Sequence, residues 1–132
     1  MRDRLFPVKP SIQRVRPKEE YYFKEGCHIL ELSNAPDDPE VSIARARVAP
    51  GVTTRLHCLL GITERYVILE GSGEVEVDGQ AGQPVGPGDV AVIPQGCSQR
   101  IANVGTSDLL FLAICSPRFI AEAYQEIRES AG

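Results

Sequence analysis

Between residues 27 and 115 the chain is written in short runs, each closed by a turn signal. Val41-Ser-Ile-Ala-Arg-Ala-Arg-Val alternates apolar positions with polar or small ones, the period of a half-buried strand. Residues 27–33, 53–60, 64–70, 74–78, 90–93, 98–103 and 109–115 read as further strands, and 20–24 as a short one. Pro50-Gly51, Gly71-Ser-Gly73, Gly86-Pro-Gly-Asp89 and Pro94-Gln-Gly96 separate them, and Asp78-Gly79 is a hairpin signal. Pro7, Pro10 and Pro17 keep the first segment extended. The end of the chain changes period. Ser116 is a helix cap with Pro117 behind it, and Ile120, Tyr124 and Ile127 recur at i, i+4, i+7, which predicts a helix over 117–129. Nine or ten short strands at regular spacing imply an all-β sandwich or barrel.

Composition narrows this to one domain. The chain has 132 residues, 42% of them apolar, and 12 Gly with 10 Pro supply the turns. Its longest uncharged apolar run, residues 109–114, is far short of the ~18 residues that span a membrane. MRDRLFPVKP lacks the apolar core of a secretory signal, so the expected location is the cytoplasm, with no membrane association. Cys27, Cys58, Cys97 and Cys115 form no CxxC pair and read as reduced, mostly buried thiols. Net charge is −4, unevenly distributed: residues 1–18 carry +5 and the remainder −9. Residues 1–24 therefore read as an extended basic arm and 25–132 as the folded domain. An acidic body repels phosphate at range, so nucleic acid is not an expected partner. Only two histidines are present, His28 and His57, which excludes a three-histidine metal site within one chain.

Two spaced motifs specify more. Residues 51–71 read GVTTRLHCLLGITERYVILEG, and residues 88–103 read GDVAVIPQGCSQRIAN. The first resembles the cupin pattern G-x5-H-x-H-x3,4-E-x6-G at Gly51, His57, Glu64 and Gly71. The second resembles G-x5-P-x-G-x2-H-x3-N at Gly88, Pro94, Gly96 and Asn103. The resemblance implies a small single-domain cupin, a jelly-roll or double-stranded β-helix barrel, here with a short C-terminal helix. It also implies a divalent metal held by two histidines and a glutamate of the first motif and one histidine of the second. This chain keeps His57 and Glu64, but Leu59 and Gln99 stand where the other two histidines belong. Leucine cannot ligate, and an amide oxygen is a weaker donor than imidazole for Zn, Fe or Cu. The metal set left by the resemblance is His57, Glu64 and Gln99, for Mn, Fe, Ni or Zn.

Strand alternation proposes the rest of the site. If His57 faces the barrel interior, Arg55 and Leu59 do too, while Glu64, Tyr66 and Ile68 share one face and Cys97, Gln99 and Ile101 another. Arg55, Gln99 and Cys97 are thus candidate substrate-binding residues, and His57, Glu64 and Tyr66 candidate catalytic ones. An interior Arg55 suits a carboxylate or phosphate. Of Cys27 and His28, one alone can point inward and replace a lost ligand. Three functions remain open: a metal-dependent enzyme on a small organic acid or sugar derivative, a metal-free isomerase or epimerase using a His–Glu pair, and a non-catalytic binder of a small ligand. The family resemblance also implies a homodimer, with the arm crossing to its neighbour.

Overall fold

The structure is a computed structural model and describes residues 8–129. The first seven residues of the arm and residues 130–132 lie outside the described part. Eleven strands form two antiparallel sheets. They are β1 Tyr21–Phe23, β2 Cys27–Ser33, β3 Ser42–Val48, β4 His57–Leu59, β5 Thr63–Glu70, β6 Gly73–Val77, β7 Gln83–Val85, β8 Val90–Ile93, β9 Gln99–Asn103, β10 Leu109–Ser116 and β11 Tyr124–Glu126. One sheet runs β1-β2-β3-β10-β5-β8 and the other β11-β4-β9-β6-β7.

The alternating runs became strands because one side of each could be buried. On β5, Glu64, Tyr66 and Ile68 turn inward and Arg65 turns out. Val48, Ile68, Ile101, Leu109 and Phe111 meet between the sheets. A smaller cluster of Leu59, Ile62, Cys115 and Ala123 closes one end. The Asp78-Gly79 signal forms the β6–β7 hairpin with both residues at positive φ, 56° and 73°. At Gly71, φ is +91° and a Cβ would stand 2.8 Å from the Asp108 carbonyl oxygen, so the chain needs glycine there.

Two predicted elements differ. Residues 53–60 do not form one strand. β4 starts at His57, and Thr53 makes only an isolated bridge to Ala102. The intervening backbone is used elsewhere: Thr54 N–H donates to the Ile101 carbonyl at 2.9 Å and Arg55 N–H to the Glu25 carbonyl at 2.7 Å. The predicted helix over 117–129 is also replaced, by a 3-10 turn at Ala121–Ala123 and by β11. β4 has one free edge, and β11 pairs with it, Tyr124 against Leu59 and Glu126 against His57. Leu60 N–H donates to Ala123 O and Ile127 N–H to Leu56 O, both at 2.9 Å. A helix would satisfy its own backbone and leave this buried edge unpaired, so tertiary demand overrides the helical period.

The chain joins the first sheet at Tyr21, while residues 8–16 carry no regular element and are exposed. Asn103, the last residue of the second motif, has a structural job. Its side-chain amide donates to the carbonyls of Val48 and Ser107, each at 2.8 Å, and its oxygen accepts from Gly105 N–H at 2.9 Å. Asn103→Ala leaves those groups unpaired in a largely buried setting, and the expected loss of stability is about 2–3 kcal/mol, read by urea denaturation.

Candidate functional site

The site forms where β4, β5 and β10 face the turn between β1 and β2. That turn, Lys24-Glu25-Gly26, closes with Gly26 N–H donating to Phe23 O at 3.0 Å, and Gly26 takes a φ of +104°. It places the Glu25 carboxyl beside β4. His57, 2% exposed, has its Nδ1 2.7 Å from the Arg55 carbonyl oxygen. A carbonyl only accepts, so Nδ1 carries a hydrogen and Nε2 is the nitrogen left for chemistry. Nε2 lies 3.2 Å from Glu25 Oε2. A bare nitrogen and a bare carboxylate would repel at that distance, so one proton sits between them.

Glu64 is the second buried carboxyl. Its Oε2 accepts from the Cys115 thiol at 3.7 Å, and its Oε1 is buried with no partner among the described residues. Burial, helped by repulsion from Glu25, pushes its pKa up to about 8, against smaller pulls from Gln99 and Cys115. Burial also raises Glu25, opposed by His57. Glu64 is therefore a neutral acid near pH 7. Tyr66, raised far above the ordinary phenol range by burial and by Glu64, donates its hydroxyl to Gln99 Oε1. The Gln99 amide nitrogen is near enough to Glu64 to lower its pKa but completes no hydrogen bond.

Glu25, His57, Glu64 and Tyr66 line one cavity of about 50 Å³, with Leu59, Phe111 and Ala113 on its apolar wall. This is room for a ligand of a few non-hydrogen atoms, well below the ~300 Å³ of drug-sized pockets. Of the residues expected from the sequence, His57, Glu64 and Tyr66 come together here, with Gln99 bonded to Tyr66. Arg55 does not join them. Its side chain is 62% exposed and lies 3.5 Å from Glu126, because the chain has not yet entered β4 at residue 55. Cys97 is half-buried against the main core and does not line the cavity. Cys27 points inward, whereas His28 packs edge-on against Tyr22.

Glu25 and Tyr124 are the residues that strand alternation missed. Tyr124 stacks on His57, with ring centroids 4.9 Å apart and planes at 23°. A glutamate before a turn glycine ordinarily points to solvent, and Tyr124 falls on the helical face that the sequence predicts, so neither carries a usable signal.

As arranged, the donor set does not fit a divalent metal. Gln99 Oε1 is taken by Tyr66, and Leu59 has no donor. Among the described residues, no three His, Cys, Asp or Glu side chains converge as a metal site requires.

The family model for the cupin domain matches residues 44–115. An uncharacterised protein of Methanocaldococcus jannaschii is 32% identical over 117 residues, covering 87% of this chain and 90% of that one. An oxalate-binding protein of Thermotoga maritima is 39% identical over 90 residues, covering 68% of this chain and 73% of that one. Among solved structures, KdgF from a Halomonas species superposes with a TM-score of 0.73 at 18% identity, over 84% of this chain and 96% of the other, a likeness of fold. With both motifs, the two facing sheets and these matches in agreement, the chain belongs to the cupin family.

Proposed function

We propose that this cupin moves protons on a small molecule without a metal, as an isomerase or epimerase does. The observation that carries the reading is the Glu25–His57 pair, 3.2 Å apart and holding one proton, in the same small cavity as a neutral Glu64. Two proton-bearing groups with different environments are what a carbonyl enolisation needs. The Glu25–His57 pair takes the proton from the carbon next to a carbonyl, and Glu64 gives its proton to the carbonyl oxygen. The pair then returns its proton to a carbon of the neutral enol, and Glu64 takes back the proton of the enol hydroxyl. Tyr66 acts through Gln99 and fixes which side of that amide faces Glu64.

The reading differs from oxalate binding, the property named for the Thermotoga maritima relative. With Arg55 outside, the cavity wall has no Arg or Lys among the described residues to hold an anion. Four free thiols support a reducing, cytoplasmic setting, and no described helix is long and apolar enough to cross a membrane.

A homodimer is the partner reading. In the arm, Ile12 is 74% exposed and Val15 60% exposed, and Glu20 just behind it is clamped by Arg45 and Arg47 at 3.4 and 2.7 Å. A basic segment with uncovered apolar side chains suits the acidic body of a second copy. Deleting residues 1–16 is expected to halve the mass seen by light scattering, and an unchanged mass would argue against the arm as the link.

Incubated in D2O with small hydroxyketones and keto acids, the wild type is expected to place deuterium on the carbon beside the carbonyl, as seen by NMR. His57→Gln should slow this by at least about 100-fold while the fold is kept. Absence of uptake from every compound would remove the catalytic reading.

Folded Glu64 keeps its proton to about pH 8, whereas the unfolded chain releases it near 4.5. The folded state binds more protons in that window, so stability falls as pH rises from about 4.5 to 8. The full effect is on the order of 5 kcal/mol for this group. Glu64→Gln should flatten the fall in urea denaturation midpoints, and an equally steep profile in the variant would contradict a neutral Glu64.

A further inference from the structure

Tyr124 has no role in the motifs or in the proton transfer, yet it is built into the cavity. β11 holds its backbone against Leu59, its ring stacks on His57 at 4.9 Å, and Phe23 meets the ring edge-on at 5.1 Å. The Lys24 ammonium stands 4.7 Å from the ring centroid. The ring is thus fixed on three sides. Its hydroxyl is buried and has no partner among the described residues. A buried hydroxyl left unpaired costs about 1–3 kcal/mol, so a group held there invites a partner that arrives with a ligand.

A second residue lining the cavity has an atom of the same status. Glu64 Oε1 is buried and unpaired, from the opposite sheet to β11. The ionisable side chains lining the cavity are mostly acids. Glu25, Glu31 and Glu64 all line the cavity, and no Lys or Arg does among the described residues. A dianion such as oxalate would meet three carboxyl groups there and no cation on the described wall to hold it. A ligand with a carbonyl to accept from Tyr124 and a hydroxyl to share with Glu64 would satisfy both orphaned atoms.

We infer that Tyr124 is a ligand-binding residue of this cavity and that, with Glu64, it selects a small uncharged hydroxyketone over a dicarboxylate. This rests on the reading of the cavity as the ligand site, and it names the class of molecule that enters. The hydroxyl stays a donor at every physiological pH, because burial and the nearby Glu25 both hold its proton.

The test is calorimetric titration of the full chain at pH 7 in EDTA, with dihydroxyacetone and with oxalate. EDTA keeps stray metal from carrying the oxalate. Dihydroxyacetone is expected to bind at least about tenfold more tightly than oxalate, and Tyr124→Phe, which keeps the ring on His57, to weaken it about tenfold. Equal or tighter binding of oxalate overturns the inference. So does unchanged affinity in Tyr124→Phe, or no binding of dihydroxyacetone at millimolar concentration. Should Tyr124→Phe fail to fold, the comparison of the two ligands on the wild type still decides. Binding of dihydroxyacetone with no deuterium uptake removes the proton-transfer function and leaves this selectivity standing. Uptake confined to charged keto acids removes the selectivity and leaves the function.

Discussion

Three contacts between Glu25, Arg55 and His57 hold the centre of this molecule together. Arg55 N–H donates to the Glu25 carbonyl, His57 Nδ1–H donates to the Arg55 carbonyl, and His57 Nε2 meets the Glu25 carboxyl. Each contact constrains the next. The first pulls residues 53–56 out of strand geometry and toward the β1–β2 turn. The second fixes the histidine tautomer. The third determines what that histidine can do, because its remaining nitrogen is aimed at a carboxyl. A longer β4 would have brought Arg55 inward and left His57 without this orientation.

The same closure sets an electrostatic condition. Two carboxyls and an imidazole are crowded into one small cavity, and isolated charges there are costly. The site meets the condition with protons. One is held between Glu25 and His57, and one stays on Glu64 because burial and Glu25 raise its pKa. The thiol of Cys115 is an undemanding neighbour, a weak donor that lets Glu64 keep its proton. The polar groups left unpaired at Glu64, Gln99 and Tyr124 mark where the fold accepts a local cost.

Much of this was legible in the sequence, for identifiable reasons. The strand within 41–48 follows from side-chain alternation, and those at 27–33 and 90–93 from short runs closed by turn signals, both of which depend only on neighbours along the chain. The two motifs located His57, Glu64 and Gln99 because their spacing is set by strand and turn lengths. What could not be read came from across the molecule. Glu25 matters because a turn from another sheet lands on β4. Arg55 misses the interior because its backbone is claimed by Glu25. Residues 117–129 have a helical period, but the bare edge of β4 was a stronger influence than that period. In each case a long-range hydrogen bond overrode a local pattern.

That origin also bears on how the site departs from the motif. Leu59 and Gln99 stand in two histidine positions, and each has found a consistent use. Leu59 packs in the apolar cluster with Ile62 and Cys115, continuous with the cavity wall. Gln99 accepts from Tyr66, which a protonated imidazole could not do. Restoring histidine at position 59 alone would add an imidazole that needs its own partner in a space already filled by leucine. The two replacements and the Glu25–His57 pair therefore support one another. Together they make a centre in which protons balance the buried carboxyls, and the ligand it can admit must be one that tolerates them.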